Sequence, residues 1–344
     1  MRPNLSSVLM PETLMIIVKS NLSLNNPPAS EIIVVTPVYE DAEAFVQLLA
    51  ALADLYGRSM LVIAIDDGSL RKPIDRTHLN SGIATAIVRL KCNVGHQRAL
   101  AIGLAYAVAI VRDDQQIIMM DCDGEDAPET IEKLRSAAKE DAIDVVVAER
   151  KSRVESWRFK LFYAIYRQFF RVLTGRNLSF GNFMLLTPSA AKRIACMKEL
   201  SIHVAGCVLA SKLRAKRLRL DRGARFAGQS KMNFFSLALH GFRGLMVFAE
   251  DVLVRVGAAC ALIALLSIIG AAAAVVLKLL GYSTPGWFSV ALGILVLMFM
   301  QTDAITLMTL MLTGVVRSGN ASHRLDFEEL VDEVIESSNA DNLR

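Results

Sequence analysis

Short apolar runs alternate with longer amphipathic segments over the first 220 residues of the chain. Five runs rich in β-branched and other apolar residues predict buried strands: Ile32–Thr36, Met60–Ile65, Ala84–Leu90, Ile117–Met120 and Asp144–Ala148. Helical apolar spacing predicts helices over Asp41–Tyr56 and Gln97–Val111, and Pro128 marks the start of another helix. The alternating segment Lys212–Arg219 predicts a strand with one basic face. Strands that alternate with helices predict an α/β fold, a mostly parallel sheet with helices on both faces.

Two long apolar runs follow residue 250. Val256–Leu277 has no charged residue, and Trp287–Val316 is interrupted only by Asp303. Each run is long enough to cross the roughly 30 Å hydrocarbon core of a bilayer as a helix. The alternative is a buried helical hairpin in a soluble protein, but soluble core helices are rarely so long and uncharged. Asp303 is a candidate functional residue because it is ionisable, although pairing with Arg255 or another subunit is the interpretation we favour.

Basic residues flank the outer ends of both runs, and the short turn between them has no charge. These residues are Arg243, Arg255, Arg317 and Arg324. The positive-inside rule therefore predicts a multi-pass protein of the cell (inner) membrane with both termini in the cytoplasm. Two segments that interleave aromatic and cationic residues, Trp157–Leu173 and Asn233–Phe248, predict helices lying in the membrane interface rather than ordinary packing helices.

The pattern predicts five regions along the chain. They are a flexible leader (1–30), an α/β domain (31–232), an interfacial amphipathic helix (233–251), a two-helix transmembrane hairpin (252–316) and an acidic cytoplasmic tail (317–344).

Charge and cysteine content narrow the classes of partner. The net charge is only +4, but basic residues concentrate between Arg150 and Arg225, which indicates an anionic partner on one face. No nucleic-acid recognition motif accompanies this charge, so attraction to anionic lipid is the simpler interpretation. The five cysteines include no CxxC pair, which argues against a disulfide framework or zinc site and fits a reducing cytoplasm.

Acidic residues follow three of the predicted strands directly. Glu40 and Asp41 follow the first, Asp66 and Asp67 end the second, and an acidic cluster beginning at Asp121 follows the fourth. Because the carboxyl ends of parallel strands meet at one edge of a sheet, these side chains are expected to form a single site. Carboxylates suit Mg²⁺ or Mn²⁺, which such sites commonly share with substrate phosphates. A D-x-D pair alone is a weak signal, since acidic turns are common.

Seven ordered motifs between residues 31 and 232 resemble those of the family 2 glycosyltransferases with a GT-A fold. The resemblance is strongest to the membrane-anchored, polyprenyl-phosphate branch typified by dolichol-phosphate mannose synthase. The motifs are Thr36-Pro-Val-Tyr-Glu40, Asp66-Asp-Gly-Ser69, Asn93-Val-Gly95, Met120-Asp-Cys-Asp-Gly-Glu125, Arg150-Lys-Ser-Arg153, Gly181-Asn-Phe183 and Arg225-Phe-Ala-Gly-Gln-Ser-Lys231.

The resemblance implies a role for each motif. The nucleoside of a UDP- or GDP-sugar donor would be bound by Pro37, Tyr39, Glu40, Asp66, Asp67, Asn93 and Gly95. The catalytic set would be Asp121, Asp123, Glu125, Arg150 and Arg153, of which the three acidic residues would bind the Mg²⁺ or Mn²⁺. The donor diphosphate or an acceptor phosphate would be met by Arg225, Ser230 and Lys231. For any single arginine here, a solvated surface role is an equal alternative, and His96 and His203 are interpreted as structural.

Two departures from the family pattern shape the functional hypothesis. Asn182 replaces the aspartate of G-D-F, which mildly favours a phosphate acceptor because a phosphate needs no strong base. The acidic tail also lacks the family's usual ending, so homo-oligomerisation is left open. The leading hypothesis is metal-dependent, inverting sugar transfer to polyprenyl phosphate. The alternatives are transfer to another lipid or glycan acceptor, including polysaccharide synthesis, and a non-catalytic membrane scaffold derived from a transferase.

Overall fold

The computed structural model describes residues 30–79, 82–140, 143–150, 157–226, 234–282, 286–318 and 327–337. The predicted leader, apart from Ser30, lies outside these ranges, as do Arg153, Ser230 and Lys231. The backbone of Arg150 is described but its side chain is not.

An eight-stranded mixed sheet forms the centre of the α/β domain. In chain order its strands are β1 (Ile32–Val38), β2 (Met60–Asp66), β3 (Ala84–Leu90), β4 (Gln116–Met119), β5 (Val145–Arg150), β6 (Met184–Leu186), β7 (Ala215–Leu220) and β8 (Val331–Glu336). The order across the sheet is β7-β5-β6-β4-β1-β2-β3-β8. Six strands run in one direction, while β6 and β8 are antiparallel to their neighbours. The predicted mostly parallel sheet is confirmed.

Helices cover both faces of this sheet. The helices that precede residue 247 are, in chain order, α1 (Ala42–Tyr56), α2 (His96–Ile110), α3 (Ile131–Ala138), α4 (Trp157–Thr174), α5 (Pro188–Ala195), α6 (Val204–Ala210) and α7 (Phe234–Met246). Helices α2, α5 and α6 pack in the core on one face, whereas α1 and α3 pack on the other. The helix predicted from Pro128 begins as a short 3₁₀ turn, Pro128–Thr130, before α3.

Alternation along the central strands explains the two core layers. Ile33 and Val35 of β1 point to one face and Ile32 and Val34 to the other, and all four are buried. On the first face, α2 lies close enough that a Cβ on Gly103 would be 2.5 Å from a Val35 methyl group. This close packing fixes α2, whose first turn faces the carboxyl ends of the strands.

The C-terminal segment departs from the predicted acidic tail. Val331–Glu336 forms β8 and pairs antiparallel with β3, where Ile335 is buried in the core. An ion pair between Arg89 and Glu333 lies across this pairing. Treating 317–344 only as a tail was therefore wrong for this segment. Its apolar residues reach both core layers: Val331 and Val334 pack against the layer on one face of the sheet, and Ile335 is buried in the other. The acidic Asp332 and Glu333 between them are exposed.

The described residues divide into two compact units. The first contains the residues up to Lys160, Leu178–Val247 and β8. The second contains Leu161–Asn177 together with two long helices, α8 (Ala249–Leu279) and α9 (Trp287–Ser318). The continuous domain predicted over 31–232 is thus interrupted by most of α4, whose side chains pack with the C-terminal helices.

The second unit joins the aromatic helix α4 to the start of α8. The rings of Phe170 and Phe248 meet edge to face with centroids 6.0 Å apart. Arg255 donates to the Val172 carbonyl at 2.9 Å, and Arg176 lies 3.7 Å from Asp251. Arg255 is therefore used at the end of α4, and no ion pair between it and Asp303 occurs among the described residues.

Helices α8 and α9 have the length and composition of membrane spans. Ala249–Leu279 is 31 residues long with a mean hydropathy of 2.7, and Trp287–Thr309 is 23 residues long with a mean hydropathy of 1.9. Most of their apolar side chains are exposed in the single chain, unlike those of a soluble core helix. A soluble protein could not leave so much apolar surface in water without association, so lipid contact is the simpler explanation.

Candidate active site

The candidate site lies where β1, β2 and β4 end at the same edge of the sheet. Val38 is paired with Asp66 in the parallel register, and the Asp67 amide donates to the Val38 carbonyl at 2.9 Å. The acidic turn, which we define as Asp121–Asp126, begins two residues after the end of β4. The predicted convergence of three strand ends is seen in the structure.

Glu40 organises the loop that follows β2. Its carboxylate accepts hydrogen bonds from the backbone amides of Leu70, Arg71 and Lys72 at 2.8–3.1 Å. The Leu70 amide bond, with the two neighbouring amides, lowers the pKa of Glu40 below its usual value. Glu40 also has a positive φ of 49°, a conformation that a non-glycine residue rarely adopts. Glu40, predicted to bind nucleoside, is placed here as a support of the loop.

Asp66 and Asp67 are both buried, and each holds a different loop. Asp66 accepts from the Ser69 and Ile74 amides at 3.0 and 3.2 Å, so its carboxylate is used within its own loop. Asp67 accepts from the Val94 and Gly95 amides at 2.7 and 3.0 Å. Burial raises the pKa of Asp67 above its usual value, and those two amide bonds oppose the shift. Asp67 therefore fixes the Asn93-Val-Gly95 loop against the end of β2.

Gly68 lets these two loops approach each other. Its φ is +68°, and an added Cβ would lie 2.6 Å from the Cys92 carbonyl carbon and 2.7 Å from the Asn93 nitrogen. Both the backbone conformation and the lack of space require glycine. Beside this junction Tyr39 and Asn93 are exposed at the edge of the site, whereas Pro37 is buried within β1.

Two arginines hold the acidic turn. Arg225 contacts Asp123 Oδ2 through Nη2 at 2.8 Å and donates from Nε to Glu125 Oε1 at 2.8 Å. Arg222 forms an ion pair with the other oxygen of Glu125. The pKa of the Arg222 guanidinium is lowered, mainly because the group is partly buried. Arg225 was predicted to meet phosphate, and Arg222 was not singled out from the sequence at all.

Asp121 faces a different set of side chains. His96, at the start of α2, places Nε2 3.3 Å from Asp121 Oδ1 and 3.0 Å from the Asn182 side-chain nitrogen. Gln97, buried on the same turn, contacts Asn182 at 3.4 Å and accepts from the Val204 amide at 2.7 Å. The sequence interpretation left His96 as structural and did not consider Gln97. The sequence feature that indicates a role for His96 and Gln97 is their position. Both follow Gly95 in the first turn of a helix that comes after a strand end.

The three predicted metal ligands do not face one point in this structure. Among the described residues, no group of three or more His, Cys, Asp or Glu side chains is arranged to hold a metal ion. Asp121 Oδ1 is nevertheless buried and has no hydrogen-bond partner among these residues, as expected of an oxygen suited to a cation. The Cys122 thiol is buried, and burial raises its pKa, so it remains protonated and is a poor ligand. The carboxylate chemistry fits Mg²⁺ or Mn²⁺, while the set of ligands stays a prediction.

Comparison with known proteins identifies the domain that contains this site. Residues 33–193, from β1 to α5, match the family described as glycosyl transferase family 2. This chain has a family 2 glycosyltransferase domain. The match includes the ends of β1, β2 and β4, the loop of Asp67 and the acidic turn.

Two relatives of this glycosyltransferase extend beyond the matched domain. An uncharacterized glycosyltransferase of Synechocystis sp. is 28% identical over 283 residues, which cover 78% of this chain and 85% of the relative. A prophage bactoprenol glucosyl transferase homolog of Escherichia coli is 25% identical over 253 residues, which cover 68% of this chain and 78% of the relative. Both matches are too long to be confined to the family domain.

One similar solved structure is glucosyl-3-phosphoglycerate synthase from Mycobacterium tuberculosis, in complex with Mn²⁺, UDP-glucose and phosphoglyceric acid. It is 16% identical with a TM-score of 0.44, and the alignment covers 74% of this chain and 85% of that chain.

Proposed function

We propose that this glycosyltransferase transfers a sugar from a UDP- or GDP-sugar to a polyprenyl phosphate at the cytoplasmic face of the membrane, with inversion at the anomeric carbon. The observation that supports this acceptor most strongly is the environment of Asn182. The family's carboxylate is absent there, and the amide is bonded between Gln97 and His96. A phosphate acceptor fits this arrangement because it is already an anion near neutral pH.

The donor nucleoside would bind at the junction of the two loops held by Glu40 and Asp67. Asp67 places the Val94 and Gly95 amides, and Glu40 places the loop after β2. The carboxylates of Glu40 and Asp67 already accept hydrogen bonds from backbone amides, as does that of Asp66. Exposed groups at the rim, such as Tyr39 and Asn93, are therefore better placed than Asp66 or Asp67 to touch the nucleoside itself.

The donor diphosphate would meet the acidic turn and its two arginines. A bound Mg²⁺ or Mn²⁺ would offset the negative charge that develops on the leaving diphosphate. Asp121 has a buried oxygen suited to such a cation. Arg225 is only partly buried, and its planar guanidinium can form two parallel hydrogen bonds to phosphate oxygens. When the donor binds, we expect the Arg225 guanidinium to leave Asp123 and Glu125 and to bind the diphosphate instead.

The reaction at the acceptor then needs no proton removed by the protein. An acceptor phosphate oxygen attacks the anomeric carbon from the face opposite the leaving group, and the bond from that carbon to the diphosphate oxygen breaks with its electron pair. The products are a sugar–phosphate–lipid and a nucleoside diphosphate. Asn182 can donate a hydrogen bond to an incoming oxygen but cannot act as a carboxylate base.

A membrane acceptor also fits the second unit of the chain. Helices α8 and α9 have the length and apolar composition of membrane spans. The bactoprenol glucosyl transferase homolog, which covers 68% of this chain, is named for a polyprenyl lipid. With the positive-inside pattern, these features support a membrane enzyme with its catalytic domain and both termini in the cytoplasm.

A donor screen tests the proposal. The full chain in lipid vesicles with polyprenyl phosphate is given radiolabelled UDP- and GDP-sugars with Mn²⁺ or Mg²⁺, and the lipid extract is counted. We expect label in the lipid from at least one donor, and almost none with Asp123→Asn. Asp113→Asn, a matched change at an exposed residue that forms a surface ion pair with Lys192, should keep full activity. No incorporation from any donor would refute the proposal.

A further inference from the structure

The side chains of His96, Gln97 and Asn182 form a short hydrogen-bonded series that starts at a fixed donor. That donor is the backbone amide of Val204, in the first turn of α6, which lies 2.7 Å from one side-chain atom of Gln97. A backbone amide can only donate, so this atom of Gln97 must be its oxygen. Gln97 is buried, and its nitrogen therefore points to the other contact, Asn182.

The orientation of Asn182 follows from that of Gln97. The Gln97 nitrogen donates, so the Asn182 atom 3.4 Å away must be the oxygen. The Asn182 nitrogen then faces His96 Nε2 at 3.0 Å. Because this nitrogen is a donor, His96 Nε2 is the acceptor of that hydrogen bond.

This orientation places two acceptors against each other. His96 Nε2 lies 3.3 Å from Asp121 Oδ1, and its single lone pair accepts the hydrogen bond from Asn182. That oxygen is buried, and among the described residues it receives no hydrogen bond. No proton lies between these two acceptors, so their contact is unfavourable. A divalent cation would relieve it by binding Asp121 Oδ1 and taking the place of the Asn182 hydrogen bond at His96 Nε2. Ligands about 2.1 Å from a six-coordinate divalent metal lie roughly 3 Å apart when they are adjacent, which is close to the separation observed here.

The carboxylates on the other side of the turn are less available. Asp123 and Glu125 are held by Arg222 and Arg225, whereas Asp121 is held by neither of them. The backbone amide of Asp121 is bonded to Asp126, which fixes the start of the turn. The pair that a cation can bridge without breaking an arginine contact is therefore Asp121 with His96, where it replaces only the hydrogen bond from Asn182.

We propose that His96 is a metal ligand of this glycosyltransferase and binds the divalent cation through Nε2 beside Asp121. This inference rests on the proposed metal-dependent transfer and adds an imidazole to the predicted carboxylates. Imidazole nitrogen is a ligand for transition metals, whereas Mg²⁺ prefers oxygen. The site should therefore favour Mn²⁺ over Mg²⁺ more than a set of carboxylates alone would.

Pulsed electron paramagnetic resonance of bound Mn²⁺ tests the inference without measuring turnover. The full chain, in detergent and without an affinity tag, is loaded with Mn²⁺ alone and with Mn²⁺ and UDP. We expect a hyperfine coupling from one directly bound imidazole nitrogen. When all histidines of the unmutated protein are labelled with ¹⁵N, this coupling should change to the ¹⁵N pattern. That labelling result does not depend on whether any variant folds.

Two variants assign the coupling. His96→Gln should remove it and lower the Mn²⁺-to-Mg²⁺ affinity ratio, measured by calorimetry, about tenfold or more. His78→Gln removes a histidine from the Asp75–His78 turn, outside the acidic turn, and should keep both the coupling and the ratio. Mn²⁺ binding without nitrogen coupling, or coupling retained in His96→Gln, would refute the proposed role of His96 and leave the proposed metal dependence standing. Absence of any Mn²⁺ binding would instead overturn the proposed metal dependence.

Discussion

Replacing Arg225 by methionine should make the acidic turn bind Mn²⁺ more tightly in the absence of donor. Arg225 holds Asp123 and Glu125 through two contacts of 2.8 Å each. Hydrogen bonds that involve a charged group contribute about 1.5–3 kcal/mol each in proteins. A cation that uses Asp123 must first displace one of these contacts, so Arg225 competes with the metal.

The size of the effect follows from what remains after the substitution. Arg222 still pairs with Glu125, so the main loss is the contact between Arg225 and Asp123. Because Arg225 is about one quarter exposed, we take the low end of the range, about 1.5 kcal/mol. That value corresponds to a roughly tenfold lower Kd for Mn²⁺. Turnover should fall at the same time, because the guanidinium would no longer meet the donor diphosphate.

Calorimetric titration of Mn²⁺ into the full chain in detergent, without nucleotide, measures this change. Arg219→Met is the control, because Arg219 is largely exposed and pairs with Glu149 at 3.6 Å rather than with the acidic turn. The control should leave the Mn²⁺ affinity unchanged. An unchanged or weaker affinity in Arg225→Met would show that this arginine does not compete with a cation, and the reasoning would fail.

Three further predictions concern the fold around the site, each measured by unfolding of the full chain. Gly68→Ala should be more destabilising than Gly82→Ala by about 1–3 kcal/mol. Both glycines have a positive φ, but a Cβ would collide with backbone atoms at Gly68 and meets nothing at Gly82. Equal losses of stability in the two variants would contradict this explanation. Ile335→Ala should cost about 2–4 kcal/mol, while Asp332→Ala, at an exposed position of β8, should have little effect. The reverse order would show that β8 is not part of the core. Burial, with the charge of His240, lowers the pKa of His203 from 6.5 to about 3. Between pH 3 and pH 6.5 the unfolded chain therefore binds more protons than the folded chain. The stability that His203 contributes is therefore present above pH 6.5 and lost as the pH falls toward 3, and His203→Gln should make the pH dependence shallower.

The central strands were predictable because burial on both faces leaves a clear sequence signal. Runs such as Met60–Asp66 are continuously apolar up to the aspartate that ends them, and they could only be buried strands. The short strand β6 and the edge strand β8 have no such signal. Val331–Glu336 is half acidic, and its place in the sheet depends on β3, more than 240 residues earlier in the chain. Pairing at that distance is decided by tertiary packing rather than by local pattern.

The position of the site was predictable, but the role of each residue within it was not. Parallel strands bring Glu40, Asp67 and Asp121 to one edge whatever the loops do. Which hydrogen bonds they make depends on loop geometry. Asp67 and Glu40 are used to hold backbone amides rather than left free for a nucleoside. His96 lies beside Asp121 at the start of α2, and the close packing of α2 on β1 at Gly103 helps to set that position.

The most direct test of the proposed acceptor compares two lipids that differ only in one group. The full chain is reconstituted in vesicles that contain either undecaprenyl phosphate or undecaprenol, and is supplied with the donor that the screen identifies. The environment of Asn182 predicts transfer only to the phosphate, since position 182 carries an amide rather than a carboxylate that could activate a hydroxyl group. The product should be a sugar–phosphate–lipid with inverted anomeric configuration. Equal transfer to undecaprenol, or transfer only to a water-soluble acceptor, would contradict the account.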